Sequence, residues 1–205
     1  VLTGSGPVFS AGADLKVVAK GGGAELDRVP GGFGGIVRRE FPKPLIAAVN
    51  GPALAGGFEI VLSCDLVVAA DHATFGLPEV KRGLLAAAGG LIRLPKRVPL
   101  AVALEIGMTG EPIDATRAHT LGLVNRVVPA ARVLNEALAL AETIAANAPL
   151  SVRLSKQVVR DAEDPPEDEG WRITYDAATK LFGSEDLIEG ATAFVEKRPP
   201  VWKGR

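Results

Sequence analysis

The chain has 205 residues, of which 47% are hydrophobic, and this is enough to bury one sizeable core in one principal domain. Its formal net charge is -1 at pH 7, and basic residues are balanced by acidic ones along the chain, so no continuous basic surface for nucleic acid is expected. No apolar run reaches the roughly eighteen residues of a membrane span. Composition therefore excludes nucleic acid and membrane as expected partners.

The single cysteine, Cys64, excludes an internal disulfide and is typical of a reducing compartment, so we expect a cytoplasmic protein. Cys64 lies in an apolar segment, which favours an inert core position over a nucleophile. The sequence begins at Val1 with the pattern of a strand already under way, without a methionine or a charged leader. We therefore expect that an upstream segment, with any targeting peptide, is missing from this sequence.

Short apolar runs that end in turn residues predict buried strands, and longer helical patterns separate these runs. The strands are expected at 45–50, 66–70 and 123–128. This alternation predicts an α/β fold in which helices cover the strands. We divide the chain into an α/β core over 1–130 and a C-terminal helical region over 131–205.

Caps, glycines and amphipathic spacing predict the remaining elements. Glycines at 21–23 and 31–35 flank a segment of weak periodicity, which we expect to be a mobile loop near a site. The other predicted elements are a helix at 56–64, a small-residue helix that opens at 84–90 and runs to Leu94, a short helix capped by Asp114, helices at 131–146 and 150–162, an acidic loop at 163–170, and helices at 171–182 and 184–197, the last capped by Ser184.

Two glutamates twenty residues apart each stand next to a glycine turn, Glu59 in Ala55-Gly-Gly-Phe-Glu59 and Glu79 in Phe75-Gly-Leu-Pro-Glu79. Two carboxylates around one water can divide acid and base work when their surroundings separate their pKa values. This pairing suits the addition or removal of water. Each feature alone has an ordinary explanation, because glutamates on helices usually face solvent and glycines often only punctuate structure.

The chemistry also needs an electrophilic substrate carbon, and a carbonyl whose oxygen lies between two backbone N–H groups meets that need. Ala13 and Gly56 each follow a glycine or a small residue at a turn, so we select their amides as candidate oxyanion-hole donors. Losing one such donor typically costs about 2.7–4 kcal/mol of transition-state stabilisation. The alternative is that both turns are only tight connections.

Motifs of several other chemistries do not occur in the sequence. It contains no G-x-S-x-G elbow, no G-x-x-x-x-G-K-[ST] phosphate loop, no H-E-x-x-H and no C-x-x-C pair. With only His72 and His119, a histidine-rich metal site is excluded, and both histidines are expected at the surface or in turns. The sequence therefore predicts neither a metal nor a redox cofactor, and the acid/base pair remains.

Four ordered segments carry motifs of a known superfamily. They are Phe9-Ser-Ala-Gly-Ala-Asp-Leu-Lys16, Ala48-Val-Asn-Gly-Pro-Ala-Leu-Ala-Gly-Gly-Phe-Glu59, Cys64-Asp65 and Phe75-Gly-Leu-Pro-Glu79. In order and spacing they resemble the crotonase, or enoyl-CoA hydratase/isomerase, superfamily, and later segments extend the resemblance over essentially the whole chain. The resemblance implies a spiral of β-β-α units with a C-terminal helical trimerisation region, assembled as a homotrimer or homohexamer. The N-terminal strands of that fold are expected to be missing from this sequence.

The resemblance also implies a substrate, an acyl-CoA thioester whose carbonyl oxygen lies between the amides of Ala13 and Gly56. Glu59 and Glu79 are then the catalytic carboxylates. Because both are present, the expected enzyme is an enoyl-CoA hydratase, a hydro-lyase that adds water reversibly across the 2,3 double bond of a 2-enoyl-CoA. No cofactor is expected, since the coenzyme A is part of the substrate.

Five further residues are implied to bind the substrate or its CoA. Asp14, Leu15 and Lys16 continue the first motif and are expected beside the CoA. Phe194 and Lys197 resemble C-terminal residues that reach a CoA site, sometimes in a neighbouring subunit. The simpler explanations are a turn-stabilising aspartate, solvated lysines and a packed phenylalanine.

Two departures from the family pattern bear on the acyl group. Leu77 stands where hydratases of the fatty-acid type often have Gln, and Leu84-Leu-Ala-Ala-Ala88 replaces a more usual turn that contains Pro and Gly. Together with Arg93-Leu-Pro-Lys96, these features are similar to the carnitinyl-CoA dehydratase branch, which acts on crotonobetainyl-CoA. An enoyl-CoA isomerase and, from another class, a non-catalytic acyl-CoA-binding protein are the remaining alternatives.

Overall fold

The structure is a computed structural model that describes residues 1–22 and 28–205. Residues 23–27, which fall within the predicted mobile loop, lie outside the described residues. The chain forms two compact units, one of 1–41 with 45–139 and one of 42–44 with 140–205.

The strands of the first unit form two sheets. One sheet has the order β1-β2-β4-β7 and is parallel throughout. The other has the order β3-β5-β6, with β3 and β5 parallel and β6 antiparallel to β5. The bounds are β1 Leu2–Thr3, β2 Ile46–Val49, β3 Ala53–Leu54, β4 Leu66–Ala70, β5 Thr74–Gly76, β6 Ile113–Asp114 and β7 Arg126–Val128.

Helices connect these strands and make up the C-terminal part of the chain. The α-helices are α1 Leu15–Ala19, α2 Gly56–Ser63, α3 Gly90–Arg97, α4 Leu100–Thr109, α5 Ala115–Thr120, α6 Val133–Ala145, α7 Pro149–Asp161, α8 Glu167–Phe182 and α9 Glu185–Glu196. Short 3-10 helices lie at Phe33–Gly35, Pro78–Arg82 and Ala130–Arg132.

The chain builds both sheets by repeating one step. β2 in the first sheet is followed by β3 in the second and then by α2, and β4 is followed by β5 and the 3-10 helix Pro78–Arg82. An abbreviated step precedes these two: after β1, Ser10 forms a parallel bridge with Ala53 of β3, and α1 follows. This repetition confirms the predicted α/β spiral of β-β-α units.

The first sheet owes its position to strands that are apolar on both faces. All four residues of β2 are buried, as are the last four of β4, because a parallel strand covered on both sides is in contact with the core along its whole length. Alanines at 47, 48, 69 and 70 are 0% exposed, and their small side chains let covering elements approach the sheet closely. The carboxyl ends of β2 and β4 thereby become fixed points for the turns that follow them.

Three predicted boundaries are wrong, each for a local reason. Helix α3 begins at Gly90 instead of 84, because Gly89 has φ 106, which interrupts the helix path. Helix α8 begins at Glu167, inside the predicted acidic loop, because three acidic residues in its first turn favour the positive end of a helix. Strand β7 is shorter than predicted, since the amides of Leu123 and Val124 bond back to the carbonyl of Ala118.

Several other predictions about helix ends are confirmed. Asp114 caps α5 by accepting a hydrogen bond from the amide of Arg117 at 2.7 Å. Ser184 caps α9 by accepting one from the amide of Leu187 at 3.2 Å. Helix α4, which the sequence did not reveal, begins directly after Pro99, where the fixed φ of proline suits a helix start.

The second unit is helical and holds its own C-terminal segment. Asp186 is 2% exposed and accepts hydrogen bonds from the amides of Lys203 at 2.7 Å and Gly204 at 2.9 Å. Trp202 donates its Nε1 hydrogen to the carbonyl of Ala146 at 2.8 Å. Among the described residues, no helix combines the length and apolar character needed to cross a membrane.

Candidate active site

The segment that carries Ala13 packs directly against the start of α2. Ser10 bridges to β3, and its carbonyl accepts a hydrogen bond from the amide of Leu54 at 2.9 Å. A Cβ added at Gly12 would lie 2.8 Å from the amide nitrogen of Gly56, and Gly12 also has φ 86, which side chains rarely adopt. Only glycine therefore permits this approach, which brings the two predicted oxyanion-hole segments together.

The turn before α2 has a strained backbone. Ala55 has φ 53 and ψ -131, a conformation that is uncommon for any residue with a Cβ. Its carbonyl oxygen accepts hydrogen bonds from the amides of Phe58 at 2.9 Å and Glu59 at 3.1 Å. In the part of the chain that the structure describes, no acceptor is found for the amides of Ala13 and Gly56. Both N–H groups are thus available to a ligand oxygen.

Phe33 forms a wall beside the Gly56 amide. A Cβ added at Gly56 would lie 2.4 Å from Cε1 of the Phe33 ring, so the ring occupies the space where a side chain would stand. Gly57 is equally confined, since its added Cβ would lie 2.1 Å from the carbonyl oxygen of Ser10. The two glycines at the start of α2 are therefore required by close packing.

Glu59 projects from the first turn of α2 and is only 3% exposed. Its Oε1 accepts a hydrogen bond from the amide of Gly90 at 2.8 Å, and Gly90 is the first residue of α3. A helix N-terminus favours negative charge, because its first N–H groups have no partner within the helix. The start of α3 therefore compensates part of the cost of burying this carboxylate.

The pKa of Glu59 is raised above its ordinary value, chiefly because burial disfavours the charged form. The Gly90 N–H opposes this rise, while the negative charge of Glu79 adds to it. Smaller lowering effects come from the Ala88 N–H and the charge of Arg93. Glu59 and Glu79 therefore lie within electrostatic reach of each other.

Glu79 lies in the 3-10 helix Pro78–Arg82, and its Oε2 has no hydrogen-bond partner among the described residues although that atom is buried. Burial raises the pKa of Glu79, and its own backbone N–H and the charge of Arg82 lower it only in part. A buried acceptor without a partner is uncommon, because it loses water without replacement. This oxygen is therefore the clearest mark of a ligand position in the site.

The other predicted binding residues are placed as follows. Asp14 caps α1 by accepting a hydrogen bond from the Lys16 amide at 2.9 Å, and Leu15 is 46% exposed on the same short helix. Phe194 is 85% exposed on α9, and Lys197 ends that helix with φ 55; both belong to the second unit. Asp14 thus has a structural use, and a CoA contact by any of the five stays a prediction.

Two residues of the site, Gly90 and Phe33, were not predicted from the sequence. The Gly89-Gly90 pair ahead of an apolar helix could have indicated a helix start, but nothing indicated that its amide would bind Glu59. Phe33 lies in a glycine-rich segment of weak periodicity, where no pattern separates a wall residue from a loop residue. Within the described ranges, no group of three His, Cys, Asp or Glu residues could hold a metal ion.

The buried Glu59 and the half-buried Glu79 both have raised pKa values, and two peptide N–H groups have no acceptor among the described residues. These features fit an acid/base site for a substrate with a polarised carbonyl. Comparison with known proteins agrees with this class. The model of the enoyl-CoA hydratase/isomerase family matches residues 1–205, and the chain belongs to that family. The resemblance inferred from the sequence motifs is thus confirmed.

Relatives within the family carry two kinds of name. The chain is 45% identical to a carnitinyl-CoA dehydratase of Citrobacter koseri, over 100% of this chain and 81% of the relative, and 44% identical to that of Escherichia coli K12 over the same shares. Among solved structures, an enoyl-CoA hydratase from Mycobacterium marinum has a TM-score of 0.94 at 46% identity, covering 100% of this chain and 80% of its own. A carnitinyl-CoA hydratase from Mycobacterium avium has a TM-score of 0.71 at 50% identity, covering 98% and 78%.

The raised pKa of Glu79 predicts a pH-dependent cost in stability. Below its ordinary value near 4.5 the carboxyl is protonated in both folded and unfolded states. As pH rises above that value, the unfolded state releases the proton first. The free energy of unfolding therefore falls until the pH passes the raised pKa of Glu79 in the folded state. Glu79→Gln cannot titrate, so we expect its melting temperature to exceed that of the wild type at pH 7.5, with the gap closing towards pH 4.5.

Thermal unfolding followed by circular dichroism from pH 4.5 to 8 measures this gap, and each kcal/mol corresponds to about 2–4 °C in a chain of this size. Glu40→Gln, at an exposed position, is the matched control. A Glu79→Gln variant that melts below the wild type at pH 7.5, or a gap independent of pH, would contradict the prediction.

Proposed function

We propose that this chain catalyses the reversible addition of water across the 2,3 double bond of a 2-enoyl-CoA thioester. One observation carries the proposal, namely the buried Oε2 of Glu79 without a partner, within electrostatic reach of the buried Glu59. A buried acceptor without a partner among the described residues is suited to binding the substrate water of a hydration. Membership of the family supports the same reaction class.

The two carboxylates would share the proton transfers. Water placed between them attacks C3 while one carboxylate takes its proton, and the other carboxyl group delivers a proton to C2. Burial raises both pKa values, so a protonated carboxyl is more accessible near neutral pH than for an exposed glutamate. Oε1 of Glu59 is already bonded to Gly90 at 2.8 Å, which fixes the orientation of that carboxyl group.

The oxygen of the thioester carbonyl would accept hydrogen bonds from the amides of Ala13 and Gly56. Negative charge grows on its oxygen as water adds at C3, so these N–H groups bind the enolate-like transition state more strongly than the ground state. The close packing of Gly12 on Gly56 holds the two segments together before substrate arrives. Little reorganisation is then needed when the charge develops.

The remaining parts of the proposal concern binding and assembly. Asp14, Leu15 and Lys16 are proposed to lie along the CoA, and Phe194 and Lys197 to reach a CoA from the C-terminal region. The assembly is proposed to be a homotrimer or homohexamer in the cytoplasm. The reaction needs no cofactor besides the CoA of the substrate, since acid/base groups and peptide dipoles supply the chemistry.

A second candidate is carnitinyl-CoA dehydration, which interconverts carnitinyl-CoA and crotonobetainyl-CoA. The relatives named carnitinyl-CoA dehydratase match over the whole of this chain at 43–45% identity, which favours this candidate specifically. It uses the same addition or removal of water, so the two candidates differ only in the acyl group.

Replacing either glutamate tests the reaction type. Glu59→Gln and Glu79→Gln each keep the size of the side chain but remove the proton donor and acceptor, so we expect kcat to fall by about 10²–10⁴-fold. Folding and CoA binding should be retained. Loss of the conjugated enoyl-thioester absorbance measures hydration.

Glu40→Gln serves again as the exposed control and should hydrate like the wild type. Wild-type turnover by both active-site variants would refute the assignment of the carboxylates. Ligand-dependent thermal stabilisation of the wild type, without any loss of enoyl absorbance, would instead indicate an acyl-CoA-binding protein.

The packing of Gly12 gives a test of the oxyanion hole. In Gly12→Ala the new Cβ would lie 2.8 Å from the Gly56 nitrogen and would separate the two segments, so we expect kcat to fall by about 10²–10³-fold. Gly6→Ala is the matched control, because Gly6 has a similar φ of 78 but nothing within 4 Å of an added Cβ. Equal kcat values for the two variants would show that the contact at residue 12 does not serve catalysis.

A substrate panel separates the candidates that share this site. We expect the wild type to consume 2-enoyl-CoA substrates, and crotonyl-CoA and crotonobetainyl-CoA differ by the charged headgroup that divides the two hydration candidates. The ratio of their kcat/KM values, measured on the same preparation, decides between them. Turnover of 3-enoyl-CoA alone would instead identify an isomerase.

A further inference from the structure

Arg93 connects two parts of the site that are distant in sequence. It lies near the N-terminus of α3, where its Nη1 donates a hydrogen bond to the carbonyl of Ala88 at 3.3 Å and its Nη2 donates one to the carbonyl of Val37. Ala88 belongs to the loop before α3, whereas Val37 is 56 positions away. A guanidinium can make such a bridge because its donors form a rigid planar fork.

The first contact acts on the peptide chain that leads to Glu59. A Cβ added at Gly89 would lie 2.1 Å from Nη1 of Arg93, so the guanidinium rests on the Gly89 backbone, which has φ 106. The amide of the next residue, Gly90, donates a hydrogen bond to Oε1 of Glu59 at 2.8 Å. The position of that N–H therefore depends on where Arg93 holds the preceding peptide.

The second contact acts on the wall of the candidate oxyanion hole. Val37 is 2% exposed and follows the segment that carries Phe33, whose ring fills the space beside Gly56. In the same segment, an added Cβ at Gly34 would lie 3.2 Å from Cδ1 of Ile60 in α2. The guanidinium thus fastens to α3 the segment that lies against the start of α2.

We propose that Arg93 is a positioning residue, whose guanidinium ties the loop before α3 to the 31–37 segment and so fixes both the amide that orients Glu59 and the wall beside Gly56. The inference rests on the proposed function in one respect, that Glu59 acts on the substrate. It assigns Arg93 no direct contact with substrate.

The charge of Arg93 gives the role a signature that packing alone would not give. Among the described charged groups, Glu79 from the 3-10 helix raises the pKa of Glu59 and Arg93 from α3 lowers it. Removing the charge at 93 should therefore raise the pKa of Glu59, whereas a lysine at 93 should leave it nearly unchanged. The geometric and electrostatic parts of the role can thus be separated.

Three variants make the test. Arg93→Lys keeps the charge but cannot reproduce a fork that spans two carbonyls, and Arg93→Gln loses both charge and fork. Arg97→Lys is the matched control, since Arg97 lies on the same helix and donates to the backbone carbonyl of Cys64 at 2.8 Å, at the opposite end of α2 from Glu59.

We expect kcat of Arg93→Lys and Arg93→Gln to fall by about 10²-fold, because small displacements of a catalytic group are costly, while KM changes less. The limb of the kcat/KM pH profile that reports the titration of Glu59 should move to higher pH in Arg93→Gln and stay in place in Arg93→Lys. Arg97→Lys should keep the wild-type kcat and profile.

A second measurement does not depend on turnover. The pH dependence of the melting temperature is compared for the wild type, Arg93→Gln, Glu59→Gln and the double variant. We expect Arg93→Gln to change that dependence only while Glu59 is present, since non-additivity reports direct coupling of two residues. A wild type inactive on every enoyl-CoA would thus refute the proposed function while this cycle still tested Arg93.

Two outcomes would overturn the inference. One is wild-type kcat and pH profile in both Arg93 variants, together with additive melting temperatures in the cycle. The other is an equal loss of kcat in Arg97→Lys, which would make the effect a general consequence of disturbing α3.

Discussion

Burial of the Glu59 carboxylate is the constraint on which the arrangement of this site depends. A carboxylate that is 3% exposed needs compensation, and here the amide of Gly90 provides a hydrogen bond of 2.8 Å at the start of α3. This contact joins α2 to the start of α3, directly after Gly89, whose φ of 106 interrupts the helix path. It also ties two consecutive turns of the spiral together, because Glu59 follows β3 whereas Gly90 comes after β5. The incomplete compensation leaves a raised pKa, which is what an acid/base group requires.

Backbone packing supplies the other half of the site. Glycines at 12 and 57 let two stretches of main chain approach more closely than side chains would allow, since an added Cβ would lie 2.8 Å from the Gly56 nitrogen and 2.1 Å from the Ser10 carbonyl oxygen, respectively. Glycine at 56 leaves room for the Phe33 ring. Peptide N–H groups held in this way are rigid donors, since they have no rotamers to lose when a ligand binds. The parallel strands β2 and β4, buried along their lengths, provide the fixed base from which these turns leave. The geometry of the candidate oxyanion hole is thus set mainly by closely packed main chain.

The sequence predicted local features well, because local patterns have local causes. Apolar runs predicted β2 and β4, and the caps Asp114 and Ser184 followed from their positions before helices. Glu59 and Glu79 could be selected as candidate site residues because each stands next to a glycine turn. What could not be predicted was contact between segments far apart in the chain. The bond from Gly90 to Glu59, the ring of Phe33 beside Gly56 and the reach of Arg93 to Val37 all depend on how the turns of the spiral stack, which no short pattern encodes.

The strained turn at Ala55 has a consequence for how this site can evolve. A Cβ at residue 12 would lie 2.8 Å from the Cβ of Ala55, so the side chain at residue 55 sets part of the space available at residue 12. Substitutions there are therefore epistatic, and the effect of a side chain at one position depends on which residue occupies the other. A glycine at 55 would relieve the unfavourable φ of 53 but would also remove the stiffness that holds the neighbouring peptide in place. We therefore expect few residue types at positions 12 and 55, and the residue tolerated at one position to depend on the residue at the other.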